Sequence, residues 1–71
     1  MEKQIINALR KKYEGDIELA KANVSIFLRQ SVGVGEHPDI MATIDLEVEK
    51  IAEAEDKLVV LQQHFEENAK S

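Results

Sequence analysis

Few residues in this chain could carry out chemistry, and their spacing argues against a shared site. His37 and His64 are the only histidines, and helical rise would separate them by about 40 Å. His64 and Glu67 could point the same way, but the Glu-x-x-His pairs of di-iron bundles are absent. No nucleophile has a base at a plausible spacing. The sequence therefore predicts a protein that is not an enzyme and that has no catalytic, metal or cofactor site.

Three other clusters could suggest ligands, and each has a simpler explanation. The acidic run could bind cations or mimic nucleic acid, but it lacks the loop geometry of a calcium site and should spread round a solvated outer face. The basic cluster Arg10–Lys12 is small for a nucleic-acid patch. The Gly33–Gly35 segment follows no strand and opens no phosphate-binding loop. The acidic run comprises Glu47, Glu49, Glu53, Glu55 and Asp56.

Length and charge narrow the class of protein further. A chain of 71 residues is one domain at most, and the absence of cysteine excludes disulfides. Residues 1–35 carry six basic and four acidic residues, and residues 36–71 carry three and ten, so the halves have net charges of +2 and −7. An acidic chain is poorly suited to phosphate backbones, so nucleic acid is disfavoured as a partner. No apolar run approaches a membrane span of about 20 residues, so we expect a soluble protein, and the absence of cysteine favours the cytoplasm.

Helical periodicity governs the first segment, residues 2–31. Apolar or small residues recur every three or four positions, which places them on one helical face and does not fit a strand. Gly15 could divide the segment in two, with Asp16 as the N-cap of the second part. Because the apolar line passes Gly15 in phase, we expect one helix. The line comprises Ile6, Leu9, Tyr13, Ile17, Ala20, Val24 and Phe27.

A bend over residues 32–37 separates this segment from a second helix over residues 38–68. Gly33 suits the left-handed position that ends many helices, and Pro38 suits the first turn of the next. Gly35 marks the fold point, while His37 is an unusual N-cap whose role the sequence leaves open. The second helix repeats Ile44, Ile51, Leu58 and Phe65 every seven residues, filled in by Met41, Val48, Ala54 and Leu61.

The two seven-residue lines match each other. In an antiparallel pair, residues in contact have position numbers with a constant sum, and four predicted pairs all sum to 71. The sequence therefore predicts an all-α fold, an antiparallel two-helix hairpin with one seam. The pairs are Ile6 with Phe65, Tyr13 with Leu58, Ala20 with Ile51, and Phe27 with Ile44.

Apolar residues outside this seam point to self-association. Leu19 and Ile26 are seven residues apart and suggest a second apolar face. We expect a homodimer that forms a four-helix bundle. The alternatives are a marginally stable monomer and a hairpin completed by another, unidentified protein. The interface candidates are Leu19, Ile26, Leu28, Leu46, Val59 and Val60.

Four stretches resemble short uncharacterised proteins of marine tailed phages, including those that infect cyanobacteria. They are residues 12–16, 20–23, 33–40 and 54–58, and the bend, Gly-Val-Gly-Glu-His-Pro-Asp-Ile, is the most specific. The resemblance covers most of the chain and brings no established activity. It implies a small accessory or virion-associated protein in the host cytoplasm.

Two hypotheses about function follow. The first is a structural or protein-interaction module that acts as an oligomer. The second is a regulatory binder of nucleic acid, through Arg10–Lys12, or of a nucleic-acid enzyme, through acidic mimicry.

Overall fold

The computed structural model describes residues 2–31 and 38–66. Within these ranges the chain forms two α-helices, α1 (Glu2–Ser31) and α2 (Pro38–His64), and no strand. The predictions for Gly33, Gly35 and His37 fall between the two ranges and lie outside the described residues.

Helix α1 continues through Gly15, as the phase of its apolar line predicts. A Cβ placed on Gly15 would meet nothing within 4 Å, so no close neighbour requires a glycine there. Asp16 accepts a hydrogen bond from Lys12 Nζ at 3.0 Å instead of capping a second helix. The cost of glycine in a helix is therefore tolerated, because the packed face on either side of Gly15 holds the helix together.

Helix α2 begins at Pro38 and ends at His64, before the predicted end at residue 68. Proline suits a first turn because its missing N–H would have no helical partner there. The Phe65 amide still donates to the Leu61 carbonyl at 2.9 Å, although Phe65 itself is in a turn. Its side chain is 59% exposed, so packing does not anchor this last turn.

The two helices run antiparallel along a rod of 51 × 16 × 15 Å. Asn23 hydrogen-bonds Glu47, and the Lys57 ammonium lies 5.5 Å from the centroid of the Tyr13 ring. Each pair has position numbers that sum to 70, one less than the sum predicted from the seven-residue lines. The alignment of the helices along the rod therefore agrees with the sequence to within one residue.

The seam between the helices has little buried core. Ala20 and Ala54 are 1% and 4% exposed, and their small side chains are the most deeply buried apolar groups, followed by Leu61 at 5%. No large side chain is fully buried among the described residues. The rest of the predicted α1 line is partly buried, namely Ile6, Leu9, Tyr13, Ile17, Val24 and Phe27.

The predicted face of α2 is wrong at several positions. Met41, Val48 and Phe65 were expected in the seam, but they are 76%, 50% and 59% exposed. Glu47 was expected on the outer face and is only 7% exposed. The residues immediately before Met41 and Val48 lie in the seam instead. Beside the line of Ile44, Ile51 and Leu58, the seam therefore contains a second line of α2 residues, namely Ile40, Glu47, Ala54 and Leu61.

Candidate protein interaction surface

The hairpin has two opposite long faces. On α1, Asn23 lies three residues after the buried Ala20, and Val24 lies four residues after it. These two steps lead to opposite sides of the seam. On α2, Lys50 and Ile51 follow the buried Glu47 in the same way. Because Asn23 and Lys50 both hydrogen-bond Glu47, their two sides form one face of the hairpin. Val24 and Ile51 lie on the other.

We call the first the polar face, because charged and amide groups line its seam. Asn23 Nδ2 donates to Glu47 Oε1 at 3.2 Å, and Lys50 Nζ donates to Glu47 Oε2 at 3.1 Å. The hydrogen bond from Asn23 lowers the pKa of Glu47 below its ordinary value, aided by the one from Lys50 and opposed by desolvation. The buried carboxylate is therefore held in its charged form.

Tyr13 extends the polar contacts along the seam. The ammonium groups of Lys12 and Lys57 lie 5.7 and 5.5 Å from the centroid of its ring, distances typical of cation–π contacts. Lys12 also pairs with Asp16 at 3.0 Å, and this hydrogen bond raises the pKa of Lys12. The polar face therefore ties α1 to α2 through groups that satisfy one another within a single chain.

We call the second face the apolar face. Its seam is formed by aliphatic residues that the hairpin covers only partly, and Met41 and Val48 lie beside them at 76% and 50% exposure. Leu28 lies on the same side of α1 and is 53% exposed. The partly buried residues of this face are Ile17 and Val24 on α1 and Ile44, Ile51 and Leu58 on α2.

The six interface candidates from the sequence are all exposed, from 39% for Val60 to 64% for Leu19, but they do not form one surface. Leu28 belongs to the apolar face. Val59 lies on the outer side of α2, away from both faces. The other four flank the polar face on either side of its charged seam, namely Leu19 and Ile26 on α1 and Leu46 and Val60 on α2.

Sequence reasoning missed Met41 and Val48 as surface residues because it assigned them to the seam. It also passed over Ile5, which is 52% exposed and shares a helical line with Leu19 and Ile26. Ile5 and Phe65 line a cleft of ≈ 640 Å³ at the end of the rod. Met41 and Val48 are seven residues apart, and each comes one position after a seam residue, Ile40 or Glu47. This spacing is the sequence signal that could have placed both on the surface.

The residues considered for chemistry are apart or already paired. Arg10 donates to Asn7 at 2.8 Å and pairs with Glu66 at 2.7 Å, so two of the three basic-cluster residues, Arg10 and Lys12, have acidic partners. His64 makes an edge contact with Phe65, with ring centroids 6.3 Å apart. Among residues 2–31 and 38–66, no three His, Cys, Asp or Glu side chains are placed to hold a metal ion.

Comparison with known proteins leaves the site to be interpreted from its geometry. No family model matches the chain, and neither the curated proteins nor the solved structures include a match. Neither described helix combines the length and apolar character needed to cross a membrane.

Proposed function

We propose that this chain is a structural, protein-interaction module that acts as a homodimer, in which two hairpins form a four-helix bundle. The observation that carries the proposal is the imbalance between core and surface. Ala20, Ala54 and Leu61 are the only buried apolar residues in the described part of the chain, whereas ten large apolar residues there are exposed. A single seam of this kind supplies little of the burial that stabilises small domains.

The accessible surface supports the same proposal. The chain exposes 5699 Å², whereas a compact protein of its mass would expose about 4,500 Å². The excess of about 1,200 Å² is larger than the roughly 800 Å² that each partner contributes to a standard protein–protein interface. A second hairpin could therefore remove the excess, which one pair of helices cannot do.

The resemblance to short proteins of marine tailed phages suggests a setting for this module. We propose an accessory or virion-associated role in the host cytoplasm, in which the dimer offers a surface to another protein. The contacts of Arg10 and Lys12 favour this over direct binding of nucleic acid, because both side chains already have acidic partners. Acidic mimicry would instead use the exposed carboxylates of α2.

Size-exclusion chromatography with light scattering tests the proposal directly. The chain has a mass of 8.0 kDa, and we expect twice this mass over a micromolar concentration range. Sedimentation equilibrium would then give the dissociation constant. A stable, helical species with the mass of one chain at every concentration would contradict the proposal.

A further inference from the structure

We propose that a second copy of this chain covers the apolar face, with α1 of each copy lying along α2 of the other. The inference rests on the proposed function and deepens it, because it names the surface, the occupant and the arrangement. Of the six interface candidates predicted from the sequence, only Leu28 lies on the apolar face.

The composition of the apolar face suits burial by a protein. Its middle consists of Val24, Ile44 and Ile51, which the hairpin leaves partly exposed, and Met41 and Val48 extend the apolar area outwards. No charged side chain lies among these residues along the seam. Covering them therefore removes apolar area from water, and the charged side chain of Lys21, which flanks the face, lies at the rim of the covered area and not among these residues.

The opposite face is unsuitable for the same reason. Leu19 and Leu46 are exposed there, but Glu47, Lys50 and the other polar seam groups lie between them. The Lys50 side chain is 62% exposed, so a partner seated on this face would have to desolvate its ammonium group. That cost opposes association, because a desolvated charge regains its hydration energy only through a well-placed new partner.

The charges of the helices favour a second copy as the occupant. Helix α1 carries six basic and four acidic residues, a net charge of +2, and α2 carries two and seven, a net charge of −5. A two-fold axis along the rod places each α1 over the partner's α2, so opposite charges face each other. A two-fold axis across the rod would place α2 over α2 and bring two helices of charge −5 together.

A pair of matched substitutions tests which face is covered. Val48→Lys changes the apolar face, and Leu46→Lys introduces the same charge two residues away, beside the polar face. We expect Val48→Lys to weaken the dimer at least about tenfold, because it buries an ammonium group in place of an apolar side chain. Leu46→Lys should leave the dissociation constant unchanged, and far-ultraviolet circular dichroism checks that both variants remain helical.

Cross-linking tests the arrangement with conservative changes, which keeps the proposal testable if Val48→Lys fails to fold. The chain has no cysteine, so a single introduced thiol reports on one position. Lys21 and Val48 flank the apolar face at nearly the same height, since Asn23 contacts Glu47. We expect a short bis-maleimide to join Lys21→Cys chains to Val48→Cys chains in a mixture, and to join neither variant to itself.

The outcomes separate this inference from the proposed function. A monomeric wild-type chain would contradict both the proposed homodimer and the proposed coverage of the apolar face. A wild-type dimer that is weakened by Leu46→Lys and not by Val48→Lys overturns the choice of face and leaves the homodimer in place. Efficient cross-linking of Val48→Cys chains to each other overturns the arrangement, because it requires α2 to face α2.

Discussion

The two long faces of the hairpin share the same helices and differ in how they satisfy their side chains. On the polar face, Asn23, Glu47 and Lys50 find their partners within one chain. On the apolar face, aliphatic side chains such as Ile51 are only partly covered, and Met41 and Val48 are exposed. One face therefore satisfies its polar groups within the chain, and the other leaves apolar side chains exposed.

The difference shows that the two faces of a small chain can have separate roles, one in geometric specificity and the other in stability. Hydrogen bonds and ion pairs at a partly solvated seam contribute modest free energy, but their geometry is specific. Apolar area contributes more free energy and little geometric selection. We infer that the polar face decides how α1 and α2 pair, and that in the proposed dimer the apolar face would supply the stability gained on association.

The largest expected effect comes from shortening a side chain on the apolar seam. We expect Ile51→Ala to lower the free energy of unfolding by about 2 kcal/mol, at the low end for such a change because Ile51 is only partly buried. Urea denaturation at several protein concentrations measures the loss, which should grow with concentration. Lys50→Ala, the neighbouring change on the polar face, is the control. Equal losses from the two variants would contradict the division between the faces.

A change away from both faces should stabilise the hairpin without altering association. Gly15 lies within α1, is exposed, and would present a new methyl group to open space. We expect Gly15→Ala to raise the free energy of unfolding by about 0.5–1 kcal/mol, because alanine loses less backbone entropy in a helix. Thermal denaturation followed by circular dichroism measures the gain. A lower midpoint would show that Gly15 has a role that its surroundings do not indicate.

The smallest expected effect is confined to acidic pH and to the polar face. The pKa of Glu47 in the folded chain lies below its ordinary value of 4.5. The unfolded chain therefore takes up this proton at higher pH, and the contribution of Glu47 to stability is present above pH 4.5 and lost as the pH falls through the lowered pKa. We expect Glu47→Gln to reduce this pH dependence.

Unfolding midpoints of the wild type and Glu47→Gln, measured between neutral pH and about pH 3, isolate this contribution from those of the other carboxylates. Glu49→Gln is the matched control, since Glu49 is exposed on the outer side of α2. If the difference in unfolding midpoint between the wild type and Glu47→Gln stayed constant across this pH range, the conclusion that folding lowers the pKa of Glu47 would be wrong.

Much of the fold follows from local rules that the sequence displays. The three-to-four spacing predicts one unbroken α1 through Gly15, and the matched seven-residue lines predict the alignment to within one residue. These features depend on helical period and on neighbours in the chain. The continuity of α1 and the alignment of the helices can therefore be predicted without knowing which side of each helix faces the seam.

The rotation of α2 about its own axis could not be read in the same way. Apolar residues stand on both sides of the Ile44–Ile51 line, and hydropathy selects Met41 and Val48 over Glu47. Burial of Glu47 becomes favourable only when Asn23 and Lys50 supply hydrogen bonds across and along the seam. On α2, the interface candidates Leu46, Val59 and Val60 were the apolar residues left outside the wrongly rotated seam, and together with the α1 candidates they do not form one surface.

Glu47 also opposes slippage of the hairpin in one direction. Helices with a seven-residue repeat can slide past each other by one repeat and still match apolar side chains with apolar side chains. Asn23 and Glu47 are level in the observed hairpin. A slip of seven residues in one direction would bring Glu47 level with Asp16, and the two carboxylates would repel each other at the seam. A hairpin misaligned in this direction therefore loses an amide partner and gains a like charge.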